Sequence, residues 1–217
     1  MSFDQAASIP LTLSTAAIAL YHPEGAVNGT AALTPPWEAG GRGKYHGQPI
    51  IVIGGASSVG QYGASPRREI EERVLICERT AIQLLKLSGF SPIITTASSR
   101  NAAWLSTIGA THVLDRNLSD DALKAEVKKI TADPIKVIYD TVALPATQNL
   151  AYDLLAPGGT LALTLTPAIQ AEKQTADKKV FQVFGDPYTP PHRTFGTSLF
   201  ASLYGYLEAG EIKVCID

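Results

Sequence analysis

Apolar positions along the chain fall into short blocks separated by glycine, proline and charge. From Phe3 to Tyr21 apolar and small residues recur at helical spacing, with Asp4 placed to cap and Pro10 placed to bend or restart the helix, so one broken helix is expected. The following stretch holds Gly25, Gly29, Pro35, Pro36, Gly40, Gly41, Gly43 and Gly47, a density that predicts a surface connection. Then comes an unbroken apolar run, Ile50, Ile51, Val52 and Ile53, which meets two glycines, two serines and a helix start at Val59. A continuous run suits a strand buried on both faces of a parallel sheet, where alternation has no use.

The helix that should continue from Val59 is interrupted by Gly63, Pro66 and the charge-dense run RREIEER. If Gly63 to Thr80, 18 residues, is set aside and Tyr62 is joined to Ala81, Val59, Tyr62, Ala81, Leu84 and Leu85 take amphipathic helical spacing, and Gly89 supplies the stop. A second ruler agrees. In a dinucleotide-binding βαβ unit, the residue that reads the ribose lies about 20 positions past the last glycine. Ala97 lies 37 positions past Gly60, and 19 once the 18 are removed. Residues 63–80 therefore read as an irregular insertion of splicing or gene-model origin, with a natural surface loop or extra helix as the alternative. In the folded chain they are expected to bulge out as a solvated, charged arm with a helical turn over Arg67 to Cys77.

Beyond the insertion the units repeat. Strands are predicted at Pro92–Thr96, Thr111–Leu114, Ile135–Tyr139 and Thr160–Leu165, and helices at Asn101–Ile108, Asp121–Thr131 and Ala146–Leu155. Val180–Val183 reads as one more strand, AEKQTADKK as a solvated loop, and Leu199–Leu207 as a last helix ending at Gly210. Strands alternating with helices make right-handed parallel crossovers, so the fold class is α/β, a doubly wound Rossmann-type sheet, mostly parallel, with helices on both faces.

Composition narrows the function. The net charge of -2, from 18 Lys plus Arg against 20 Asp plus Glu, gives nucleic acid no basic surface. Only Cys77 and Cys215 occur, which excludes a disulfide framework and a four-cysteine zinc site and fits a reducing compartment. No basic region precedes the first apolar segment, and no run reaches about 20 apolar residues, so neither a signal peptide nor a membrane span is expected and the location reads as cytoplasmic.

The candidate chemistry lies after the strands. Gly55, Ala56, Ser57, Ser58, Val59 and Gly60 follow the dinucleotide pattern G-x-G-x-x-G with Ser57 at its middle glycine. Small residues let main-chain amides approach a pyrophosphate, and the helix start favours negative charge; a plain βα turn is the alternative. After the second strand, Thr96, Ala97, Ser98, Ser99, Arg100 and Asn101 contain no acid and one cation. A carboxylate there would bind the NAD ribose and repel a 2′-phosphate, so the segment favours NADP, unless Arg100 merely opens the next helix on the surface.

The segments IVIGGASSVGQY, AIQLLKLSGFSPIITTASSRN, IGATHVLD, VIYDTVA and LLAPGGTLALT together resemble the cofactor domain of the medium-chain dehydrogenase/reductases, nearest to their zinc-independent quinone and enoyl reductase branch. The likeness covers nearly the whole chain outside residues 63–80. It implies that Ser57, Ser58, Val59 and Gly60 face the pyrophosphate, that Ser98 and Arg100 face the 2′-phosphate, and that Thr141, Val142 and the strand end Leu163 to Leu165 approach the nicotinamide. It further implies a helix and loop over 1–47, an NADP-binding domain over 48–217, and a GroES-like substrate domain that this sequence lacks. Zinc ligation is unsupported, because His22, His46, His112 and His192 are scattered. Tyr188, His192 and Arg193 border a substrate site only if their proline-rich segment, read as a loop, lies there.

Three readings follow: an NADP(H)-dependent oxidoreductase acting on an activated double bond or quinone, a non-catalytic NADP-binding fragment, and a Rossmann-fold methyltransferase. A small-molecule substrate is implied and a homodimer is compatible. No catalytic acid or base can be named.

Overall fold

The computed structural model describes residues 3–23, 27–54 and 78–213, with side chains from residue 9 onward. Six parallel strands form one sheet: β1 (Ile50–Ile53), β2 (Ile93–Ala97), β3 (His112–Asp115), β4 (Val137–Asp140), β5 (Thr160–Leu163) and β6 (Lys179–Gln182). Their order is β3-β2-β1-β4-β5-β6, so the chain winds outward from β1 in one direction and then from β4 in the other. That is the doubly wound order with its switch point between β1 and β4.

Burial explains the apolar runs. Every residue of β1, β2 and β4 is buried, whereas the edge strands β3 and β6 are only partly buried. Side chains alternate across the sheet even where all are apolar. Ile50 and Val52 enter one core with Ile93, Tyr139 and Ala162; Ile51 and Ile53 enter the other with Ile94, Ile138, Leu161 and Leu163.

The first core is covered by α1 (Phe3–Tyr21), α2 (residues 78–87), α3 (Ala102–Ile108) and α6 (Arg193–Glu208). The second is covered by α4 (Asp120–Ile130) and α5 (Pro145–Leu154), through Leu123, Val127, Leu150 and Ala151. Ser119 caps α4 by accepting from Ala122 N–H at 3.3 Å, and Asp120 and Asp121 occupy its first turn. Gly89 ends α2 with φ +86°.

Three expectations need correction. Helix α1 is continuous through Pro10. An interior proline costs about 3 kcal/mol, and burial of Leu13, Ala16, Ala17, Leu20 and Tyr21 beyond it exceeds that penalty. Arg193 opens α6 and is not part of a loop: Pro190 and Pro191 lie in a 3-10 turn leading into it, where a fixed φ helps and the missing N–H would have had no partner. Finally, residues 78–80, assigned above to a solvated insertion, begin the described part of α2, and Glu78 and Thr80 are buried.

Candidate functional site

The carboxyl ends of β1, β4 and β5 meet at the switch point, and polar groups knit them together. Thr141 directs both its N–H and its hydroxyl to Ile53 O, each at 2.9 Å. Thr164 returns its hydroxyl to Thr141 O at 2.9 Å. Asp140 Oδ1 accepts from Val142 N–H (3.0 Å) and Ala143 N–H (2.8 Å), while Oδ2 accepts the Thr147 hydroxyl (2.7 Å). These bonds hold Ala143 at φ +50°, in the left-handed region. Burial nevertheless pushes the Asp140 carboxyl up to about 6, outweighing the bonds that stabilise its charged form.

On the other side of β1, Thr96 donates to Gly54 O at 2.7 Å. Thr95 Oγ1 lies 2.7 Å from Val52 O and is hydrogen-bonded to Glu78 Oε1. The Glu78 carboxyl sits directly against Gly54, so that a Cβ added to that glycine would overlap it. Glu78 is fully buried, and its Oε2 has no hydrogen-bond partner among the described residues. Desolvation pushes it up to about 8, against the lowering influence of the Thr95 bond and the Arg79 charge.

At the neighbouring strand ends, Ala97 pairs with Asp115, and Arg116 N–H donates to Ala97 O at 3.1 Å. Ser98 and Arg116 thus leave the sheet side by side. Ser98 Oγ and Arg116 Nη1 are both buried without a hydrogen-bond partner among the described residues. No carboxylate ends β2.

The sequence-predicted residues divide accordingly. Gly55, Ser57, Ser58, Val59 and Gly60 lie outside the described residues. Ser98 precedes a 3-10 turn, Ser99–Asn101, on which Ser99 and Arg100 are exposed. Thr141, Val142 and Leu163 come together at the ends of β4 and β5, with Thr141 and Leu163 buried. Sequence reasoning missed Asp140, whose signal was an acid closing the apolar strand VIYD, and Arg116, whose signal was a cation directly after HVLD. It also missed Glu78.

The histidines are less scattered than their spacing suggests. His22 and His192 meet with ring centroids 4.8 Å apart, where α1 ends and α6 begins. His22 contacts the carbonyls of Pro23 (2.9 Å) and Pro191 (3.1 Å), and His192 contacts Asp186 O (2.8 Å). They serve as a structural clasp. Among the described residues no group of three His, Cys, Asp or Glu could hold a metal ion.

Residues 79–184 match the family model described as zinc-binding dehydrogenase. A trans-enoyl reductase of Gibberella fujikuroi is 26% identical across 98% of this chain and 57% of its own length. The trans-enoyl reductase traG of Penicillium crustosum is 31% identical across 81% of this chain and 41% of its own. The chain spans about half the length of the curated relatives it matches. Among solved structures, the CurK enoyl reductase superposes with a TM-score of 0.66 at 17% identity, over the whole of this chain and 55% of its own, a likeness of fold. In sequence the chain is thus similar to zinc-binding dehydrogenases and trans-enoyl reductases, and in fold it corresponds to the cofactor-binding part of the medium-chain dehydrogenase/reductases.

Proposed function

We propose that this chain forms the NADP(H) site of an oxidoreductase that transfers hydride to an activated carbon–carbon double bond or a quinone. One observation carries the choice of cofactor: Ser98 Oγ and Arg116 Nη1 are buried donors at adjoining strand ends without a partner among the described residues, and no acid closes β2. Buried polar atoms without partners are uncommon in native structures, and this pair fits a phosphate. Ser98, Ser99, Arg100 and Arg116 would hold the 2′-phosphate, and Gly55, Ser57, Ser58, Val59 and Gly60 the pyrophosphate.

When bound, the nicotinamide supplies the hydride. The chain's own contribution is placement. Thr141, Val142 and Leu163 form the nicotinamide side, where the Thr141 and Asp140 bonds fix the backbone and buried Leu163 offers an apolar wall that excludes water. The names of the curated relatives favour an enoyl acceptor over a quinone. A cytoplasmic location belongs to the same reading.

The alternative reading is an NADP-binding fragment without turnover. A methyltransferase is disfavoured, because nothing at the end of β2 would hold the ribose of S-adenosylmethionine.

Titration with NADPH and NADH, followed by nicotinamide fluorescence, tests the cofactor. Arg116→Ala is expected to weaken NADPH binding by about tenfold, roughly 1.4 kcal/mol, and to leave NADH unchanged. An equal loss for both cofactors would overturn the preference for NADP. Oxidation of NADPH in the presence of an enoyl thioester separates an enzyme from a binding fragment.

A further inference from the structure

Gln148 lies in the first turn of α5, is 1% exposed, and uses its whole side-chain amide on main-chain groups of two separate segments. Nε2 donates to Ala143 O at 2.7 Å and to Thr166 O at 3.0 Å, while Oε1 accepts from Ala168 N–H at 2.6 Å. Two carbonyls and one N–H leave the amide a single orientation, because only its nitrogen can donate and only its oxygen can accept. A carboxylate there would turn oxygen towards both carbonyls. An apolar side chain would leave all three groups without partners.

These bonds close a circuit. At its other end the Thr164 hydroxyl donates to Thr141 O at 2.9 Å. The segment 141–143 after β4 and the segment 164–166 after β5 are thereby tied to each other at both ends, with Val142 midway along one and Leu165 midway along the other. Thr141 and Ala143 are buried, Val142 is half-buried and Leu165 is 51% exposed. Ala143 needs the restraint, since its φ of +50° is unfavourable for an alanine. Asp140 Oδ1 holds its N–H, and Gln148 holds its carbonyl.

We propose that Gln148 is a positioning residue for the nicotinamide half of the cofactor: by fixing the separation of the two segments it holds Val142 and Leu165 in place on either side of the ring. The inference rests on the cofactor reading above and deepens it. Satisfying buried main-chain groups is a common duty of a buried amide. What distinguishes Gln148 is the choice of segments, the two that leave the neighbouring strands carrying Thr141 and Leu163. The adenosine half belongs at the ends of β2 and β3, beside Ser98 and Arg116, and β5 stands three strands from β2, about 14 Å away at roughly 4.8 Å per strand. Gln148 therefore bears on one half of the dinucleotide and not on the other.

The test compares the full chain with Gln148→Met and Gln148→Glu, using circular dichroism to establish folding. Each is titrated with NADPH and with adenosine 2′,5′-bisphosphate, which carries the same adenosine half and no nicotinamide. The variants are expected to bind the bisphosphate as the unmodified chain does and NADPH about tenfold more weakly. The nicotinamide fluorescence of their bound NADPH should move towards that of the free cofactor. One folded variant suffices. Equal losses for both ligands, an unchanged NADPH constant, or failure of both variants to fold would overturn the positioning role and leave the cofactor reading standing. If the unmodified chain prefers NADH, then NADH and ADP replace the pair and the same outcomes decide. An unmodified chain that binds neither NADPH nor NADH overturns both.

Discussion

Thr147 donates its hydroxyl to Asp140 Oδ2 at 2.7 Å, tying the first turn of α5 to the last residue of β4. With the two amides on Oδ1, this makes Asp140 the organiser of the βα turn that would border the nicotinamide. Asp140→Ala leaves two buried N–H groups without partners and is expected to cost about 2 to 4 kcal/mol in urea unfolding. Asp140→Asn retains an acceptor for both amides and should cost far less. The carboxyl's pKa is raised in the folded state to about 6. Its share of stability is therefore complete below the unfolded value and is lost as pH rises towards 6, a slope that Asp140→Asn removes.

Glu78 predicts a second, broader slope in the unliganded protein. Its carboxyl ionises freely in the unfolded chain from its ordinary value of 4.5, whereas the fold holds the proton to about 8. The folded state then binds more protons, so stability falls across that window, by roughly 5 kcal/mol at most. Melting temperatures at pH 5 and pH 8 should draw much closer in Glu78→Gln, leaving the smaller difference due to Asp140. A variant that keeps the full difference would show that another group causes it.

Removing residues 63–80 brings Gly60, Gln61 and Tyr62 into the places of Glu78, Arg79 and Thr80. The deletion should raise both the melting temperature and NADPH affinity, because it exchanges a buried carboxyl for the glycine that close packing requires. Unchanged or lower stability would mean that the segment belongs to the fold.

Tyr21 and Ser88 join α1 to the residue just past α2 through a buried hydrogen bond of 2.7 Å. Burial drives the Tyr21 phenol well above its ordinary value, so it stays protonated and either hydroxyl can donate to the other. Ser88→Ala strands that hydroxyl and is expected to cost about 1 to 3 kcal/mol. Tyr21→Phe should cost less, and the double variant should match Tyr21→Phe alone, as chemical denaturation of the three would reveal.

Much of this architecture was written in local pattern. Runs such as IIVI and VIYD announced buried parallel strands because a strand covered on both faces has no polar position to alternate with. The same pattern placed Thr141, Val142 and Leu163 at the carboxyl ends of recognisable strands, where the structure has them, and the family resemblance alone proposed them for the nicotinamide side. Pro10 and the pair Pro190 and Pro191 misled because a proline's effect depends on what packs beyond it and on where the helix begins. Arg116 and Glu78 were hidden for a different reason. Arg116 matters through the pairing of β2 with β3, and Glu78 through the approach of α2 to Gly54, and neither juxtaposition leaves a periodic trace.

The spacing between Gly60 and Glu78 has a consequence of its own. Because 18 residues separate them, removing residues 63–80 would put Gly60 at the position Glu78 now holds, three places before Ala81. The location above Gly54 is thereby a fixed address on the sheet, set by Ala81, Leu84 and Leu85, which lie buried in the core. Whatever side chain the chain delivers three places before Ala81 must fit between helix and strand. At that address a glycine leaves room for a ligand, and a glutamate occupies the room itself.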